Sequence, residues 1–235
     1  MKREVSGMNY PILPCGDCAV TVQAGNEISE ETNRRVVELL QTLAESGPKG
    51  IRELVPSYSA VCIHYDPAVL SYDALIAYLK SIEIKELSSE SASQQIVEIP
   101  VCYGGEYGPD LDFVAQHNGL SAEDVVAIHS GGTYLVYMLG FLPGFAYMGG
   151  MDERIATPRL TSPRAKIPAG SVGIAGGQTG IYPLSSPGGW QLIGRTPLKL
   201  FTMEGETARF ALSAGNMVRF VPITEKQFRE MEASV

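Results

Sequence analysis

The chain has 235 residues, enough for one large domain or two modest ones, each able to bury a core. Apolar content of 45% and charged content of 19% are those of a soluble globular protein. A formal charge of −8 argues against non-specific binding to nucleic acid or to an anionic membrane surface, and no apolar run is long enough for a transmembrane helix.

No apolar stretch follows the charges of MKREVSGMNYPILPCGD, so no signal peptide is expected and the chain reads as cytoplasmic. Cys15 and Cys18 form a lone C-x-x-C, with no second pair or histidines at zinc-ligand spacing. Cys18 opens the alternating run CAVTVQA, where a small buried residue suits a strand over Cys18–Ala24. A helix is predicted from Ser29, its N-cap, to Ser46, with Gly47 and Pro48 as the stop. Val36, Val37, Leu39, Leu40 and Leu43 supply its apolar face. Ile51–Val55 and Ala60–Tyr65 read as a strand pair, and Ser71 caps a second helix reaching about Ile82. Two helices on one face of a mostly antiparallel sheet make an α+β domain of split βαβ type over residues 1–88.

The serine-rich string Leu87–Gln95 has no period and supplies a linker over residues 89–95. After it, Ile96–Cys102 begins a strand. Asp110–Asn118 and Ala122–His129 follow as short helices, the second with Ser121 and Asp124 as a capping box. From Thr133 onward, short apolar runs separated by Gly and Pro predict a sandwich or barrel in residues 96–235, and Thr224–Glu232 closes the chain as a helix.

Residues 154–203 contain no acidic side chain but six basic ones: Arg154, Arg159, Arg164, Lys166, Arg195 and Lys199. Such a glycine-rich cationic stretch in an acidic protein suits a carboxylate or phosphate. No G-x-x-x-x-G-K-[ST] and no G-x-G-x-x-G opening a helix is present, so the glycines read as turns and close backbone approaches. Among the histidines, His64 and His117 read as structural. His129 is open between a structural place and a role as general base or anion ligand. The set proposed to converge is Arg164, Lys166, Gln178, Tyr182 and Arg195, with Phe145, Tyr147 and Trp190 as apolar walls. It would suit a small amide or carboxylate, and its Arg195 is expected to outweigh Lys199, which lies outside the set.

Four strings carry a resemblance: IPVCYGGEYGPDL (Ile99–Leu111), VYMLGFLPGFAYMGG (Val136–Gly150), SPRAKIPAGSVGIAGGQTGIYPL (Ser162–Leu184) and SPGGWQLIGRTP (Ser186–Pro197). With the weaker GDCAVTVQAG (Gly16–Gly25), they make the chain similar to the PxpB/KipI family, also known as allophanate hydrolase subunit 1 or carboxyltransferase subdomain C/D. The resemblance implies a ferredoxin-like α+β domain followed by a cyclophilin-like β-barrel. It implies one subunit of an ATP-dependent, Mg-requiring 5-oxoprolinase that converts 5-oxo-L-proline to L-glutamate with PxpA-like and PxpC-like partners. Two other activities occur in the family: inhibition of a sensor histidine kinase, and carboxyltransferase chemistry on a urea-type substrate. The missing nucleotide loop and metal-ligand spacing suggest that the cationic stretch is half of a site completed by a partner.

Overall fold

The computed structural model describes residues 9–85 and 96–234. The chain forms two compact units, residues 1–93 and 94–235. The expected linker, residues 89–95 within Leu87–Gln95, lies outside the described residues.

The first unit runs β1 (Ile12–Pro14), β2 (Ala19–Gln23), α1 (Glu30–Ser46), β3 (Ile51–Pro56), β4 (Ala60–Tyr65) and α2 (Tyr72–Ser81). Both helices begin where their caps direct. The Ser29 side chain accepts from Thr32 N–H at 3.2 Å, and Ser71 from Ala74 N–H at 3.3 Å. The sheet order is β1-β2-β4-β3 with every neighbouring pair antiparallel, so β2 and β3 run parallel with β4 between them. That is the split βαβ arrangement. Its core joins Val20, Val22, Val61 and Ile63 of the sheet to Val36, Leu39, Leu43, Leu75 and Leu79 of the helices.

Two expectations change here. β1 was not foreseen, because Pro11 precedes it and Pro14 is its last residue; prolines suit an edge strand, and β1 takes the edge beside β2. A ferredoxin-like β-α-β-β-α-β order would fill that edge with a strand following α2. Cys18 is also exposed rather than buried, since the strand begins one residue later, at Ala19.

The second unit holds β5 (Ile96–Tyr103), α3 (Leu111–Asn118), α4 (Ala122–Gly131), β6 (Tyr134–Leu139) and β7 (Ala146–Gly149). There follow β8 (Arg164–Ile167), β9 (Ser171–Ala175), β10 (Gln178–Ile181), β11 (Ser186–Gly188) and β12 (Gln191–Arg195). The remaining elements are β13 (Phe201–Glu204), β14 (Thr207–Phe210), β15 (Met217–Pro222) and α5 (Glu225–Glu232). The capping boxes of Ser121 with Asp124 and Thr224 with Gln227 start α4 and α5. Seven strands close a barrel in the order β10-β7-β6-β15-β5-β12-β9, with β15 and β5 parallel. Two ribbons, β8–β11 and β13–β14, stand apart from it.

Alternation sorts the barrel strands into two faces. Ala146, Met148, Val172, Ile174, Ile181 and Ile193 join the central core. Their neighbours Phe145, Ala175, Tyr182 and Leu192 form a second cluster on the outer face with Ile167 of β8 and Trp190. No helix among the described residues is long and apolar enough to cross a membrane.

Candidate functional site

The outer-face cluster opens into a cleft of about 200 Å³ walled by Phe141, Phe145, Tyr147, Tyr182 and Trp190. Phe145 is its hub. Its ring centre lies 4.8 Å from Tyr147, 5.3 Å from Tyr182 and 5.6 Å from Trp190, all edge-to-face. Glycine makes the packing possible. Gly173 and Gly180 are cross-strand partners on β9 and β10; a Cβ at Gly180 would sit 3.0 Å from the Trp190 ring and 3.2 Å from the Phe145 ring. Both glycines are therefore close-approach positions, as the sequence suggested.

Arg159 supplies the charge. Its segment carries no secondary structure, yet it is tied down on both sides. Thr157 and Gly176 exchange backbone hydrogen bonds at 3.2 and 2.8 Å, Leu160 N–H donates to the Gly189 carbonyl at 2.8 Å, and the Gln191 side chain donates to the Pro158 carbonyl at 2.9 Å. This lacing places the guanidinium 5.8 Å from the Trp190 ring centre. Arg159 makes no ion pair among the described residues. Burial pushes the hydroxyls of Tyr147 and Tyr182 above the usual phenol range, and the nearby Arg159 charge opposes the shift in both; for Tyr182 a backbone hydrogen bond from Trp190 opposes it as well. Both phenols stay protonated near neutrality.

Of the residues expected to converge, Phe145, Tyr147, Tyr182 and Trp190 do so. The expected cations do not. Arg164 donates to the Asp110 carboxylate at 2.6 Å and to the Trp190 carbonyl at 3.3 Å, so its charge is used in holding the cleft's back wall. Asp110 in turn accepts from Leu192 N–H at 2.6 Å. Arg195 lies beside α5, donating to the Ala169 carbonyl at 2.9 Å, pairing with Glu232 at 3.7 Å and resting 5.6 Å from the Phe228 ring centre. Lys166 is exposed on β8, and Gln178 is half-buried at the start of β10 outside the cleft wall. Arg154 pairs with Asp152 at 2.7 Å. A wider depression of about 530 Å³ beside α4 has that closed pair as its only charged lining.

His129 corrects the remaining expectation. The ring is fully buried in the barrel, stacked on Phe220 with centres 4.4 Å apart. Its Nδ1 lies 2.7 Å from the Tyr103 hydroxyl and its Nε2 lies 2.8 Å from Thr179 Oγ1. Thr179 donates its own proton to the Gly173 carbonyl at 3.1 Å, so it must accept from His129. The chain of donors then runs Tyr103 to Nδ1, Nε2 to Thr179, Thr179 to Gly173, with imidazole neutral. Burial agrees, lowering the His129 pKa to about 3. With both nitrogens engaged and no exposed surface, His129 is neither a general base nor an anion ligand here.

The family model for the carboxyltransferase domain, subdomain C and D, matches residues 10–211. The chain belongs to that family. Two relatives are B-type subunits of 5-oxoprolinase. The one from Bacillus subtilis is 46% identical across 94% of this chain and 96% of its own length, and the one from Haemophilus influenzae 49% identical across 89% and 96%. Among solved structures, the uncharacterized protein PH0987 of Pyrococcus horikoshii is 54% identical over 93% of this chain and all of its own, with a TM-score of 0.56. TTHA0988 is 39% identical over 87% of this chain with a TM-score of 0.76, and this chain spans about two fifths (40%) of its length. Urea carboxylase of Kluyveromyces lactis, at 22% identity and a TM-score of 0.74, shares the fold.

Arg159 and Phe141 are two cleft residues that sequence reasoning missed. Arg159 was visible only as one of six cations, and its selection depends on contacts with Gly176, Gly189 and Gln191. Phe141 sits in the GFLPGF string, whose glycines and proline signal a turn without saying what the turn presents.

Proposed function

We propose that this chain is the B-type subunit of an ATP-dependent 5-oxoprolinase, which opens 5-oxo-L-proline to L-glutamate with ATP hydrolysis, and that the aromatic cleft is its share of the substrate site. The observation that carries the reading is the pairing of an uncompensated Arg159 with a small aromatic cleft. The two 5-oxoprolinase relatives match across nearly their whole length, which supports it.

The chemistry fits. 5-Oxo-L-proline has a flat amide ring and one carboxylate. The ring suits the faces and edges of Phe145, Tyr147 and Trp190, and the carboxylate suits a guanidinium. A lactam is a poor electrophile, because its nitrogen lone pair is shared with the carbonyl. Transfer of the ATP γ-phosphoryl group to the lactam oxygen turns that oxygen into a leaving group. Water then adds at the ring carbon and the C–N bond breaks, leaving the ring nitrogen as the free amine and the carbon as an acyl phosphate; a second water hydrolyses that acyl phosphate to the L-glutamate carboxylate and inorganic phosphate. This chain's part is to hold the carboxylate, orient the ring and keep bulk water off one face of it.

The described residues contain no group of three acidic, histidine or cysteine side chains that could hold a metal ion. No phosphate-binding loop is present either. We therefore assign ATP and its Mg2+ to PxpA-like and PxpC-like partners or to a surface shared with them. We also read the seven-stranded barrel as cyclophilin-like, and the first unit as a ferredoxin-like variant whose edge strand comes from upstream. The test is reconstitution with both partner subunits, measuring ADP release on addition of 5-oxo-L-proline. Substrate-dependent ATP hydrolysis is expected. A fully assembled complex without it refutes the reading.

A further inference from the structure

Phe141 is, among the described residues, the one non-glycine with a positive φ, at +67°. Its loop is tightly closed. Leu142 N–H donates to the Gly140 carbonyl at 2.8 Å, Phe145 N–H to the Leu142 carbonyl at 3.0 Å, and Gly140 N–H to the Phe145 carbonyl at 3.1 Å. A three-residue hydrogen-bonded turn around a positive-φ centre is the rare, strained kind of γ-turn. A side chain at that centre crowds the following carbonyl, which is why glycine usually occupies it.

Folding energetics do not account for phenylalanine at this position. The ring is 65% exposed, so burial offsets little of the strain. Its ring contact is an edge on Phe145 at 5.7 Å between centres. Neither backbone preference nor core packing favours it, yet the turn aims this large apolar surface at the cleft mouth. Strain of this kind persists where a site uses it.

We propose that Phe141 is a specificity-determining residue of the cleft: the strained turn holds its ring out as the wall that stacks on the flat ring of a bound cyclic amide. This rests on reading the cleft as the 5-oxoproline site. The ring supplies an apolar face to the cleft, whose charge is Arg159. It thereby favours a compact planar lactam acid over an open-chain amino acid such as glutamate, whose ammonium group would be desolvated against it.

The experiment uses Trp190, the single tryptophan of the chain, whose ring lines the cleft and whose emission reports occupancy. 5-Oxo-L-proline is titrated into the wild type, Phe141→Gly and Phe141→Tyr, each isolated and assembled with the partner subunits. Phe141→Gly is expected to weaken binding, or raise KM in the complex, by about tenfold, while Phe141→Tyr stays near wild type. The Tm of Phe141→Gly should equal or exceed that of wild type, since glycine relieves the turn. Equal affinity in wild type and Phe141→Gly overturns the assignment but leaves the cleft as the substrate site. A clear fall in Tm makes the ring structural and also overturns it. So does loss of complex assembly at unchanged affinity, which would make Phe141 a docking residue. A wild type with neither a Trp190 response nor substrate-dependent turnover removes the functional reading, and this inference with it.

Discussion

Inside the barrel, Tyr103, His129 and Thr179 form a polar chain in which each donor has an acceptor. On the outer face, Tyr147, Arg159 and Trp190 surround a cleft that leaves a guanidinium without a counter-ion among the described residues. At the ends of β9 and β10 the two faces are adjacent in sequence: Ile174 and Ile181 join the barrel core, and Ala175 and Tyr182 next to them join the outer cluster. A histidine satisfied on both nitrogens and closed to solvent holds the barrel together, whereas a cation held over aromatic rings at a groove mouth has interaction capacity left for a ligand.

The largest effect is expected at His129. His129→Ala should lower stability by about 3–5 kcal/mol, because it leaves a cavity and strips Tyr103 and Thr179 of their partner in a buried site. Denaturant unfolding measures this, and a loss below about 1 kcal/mol would show the interior chain to be dispensable. Asp110→Ala comes next, at about 2–3 kcal/mol, since it releases Arg164 and the Leu192 amide together.

Acid acts on the same interior. Below pH 6.5 the unfolded chain protonates His129, while the folded barrel resists until about pH 3. Stability from this residue is therefore complete above pH 6.5 and falls as pH drops, by up to about 1.4 kcal/mol per unit. Carboxylates titrate in the lower part of this window, so the informative quantity is the difference from His129→Gln, which should lack the His129 slope. Identical pH profiles would contradict the neutral, buried imidazole. The smallest stability effect is expected at the cleft mouth, where Arg159→Ala should change unfolding free energy by no more than about 0.5 kcal/mol because its side chain is exposed.

Sequence reading succeeded where information is local. Ser29, Ser71, Ser121 and Thr224 mark helix starts through side chains that bond within three residues. The barrel's alternating runs and glycine turns were legible for the same reason. What failed was long-range pairing. The acid-free stretch looked like an anion site, yet Arg164 finds Asp110 fifty-four positions upstream, Arg195 finds Glu232, and Arg154 finds Asp152 just outside the stretch. Three of its six cations are thus neutralised by carboxylates from elsewhere. The walls Phe145, Tyr147 and Trp190, and Tyr182 from the polar set, were legible as members of the group expected to converge. Arg159 and the turn at Phe141 were not, because one depends on backbone lacing to distant strands and the other on a single dihedral angle.

The most direct measurement compares Arg159→Ala and Arg195→Ala in the complex reconstituted with its partner subunits, reading 5-oxo-L-proline-dependent ATP hydrolysis. Losing a charge-assisted contact to the substrate carboxylate should lower kcat/KM by about 10- to 100-fold for Arg159→Ala, and Arg195→Ala should stay within about threefold of wild type. The reverse order, or equal small losses, would contradict the account and return the anion site to the stretch beside α5.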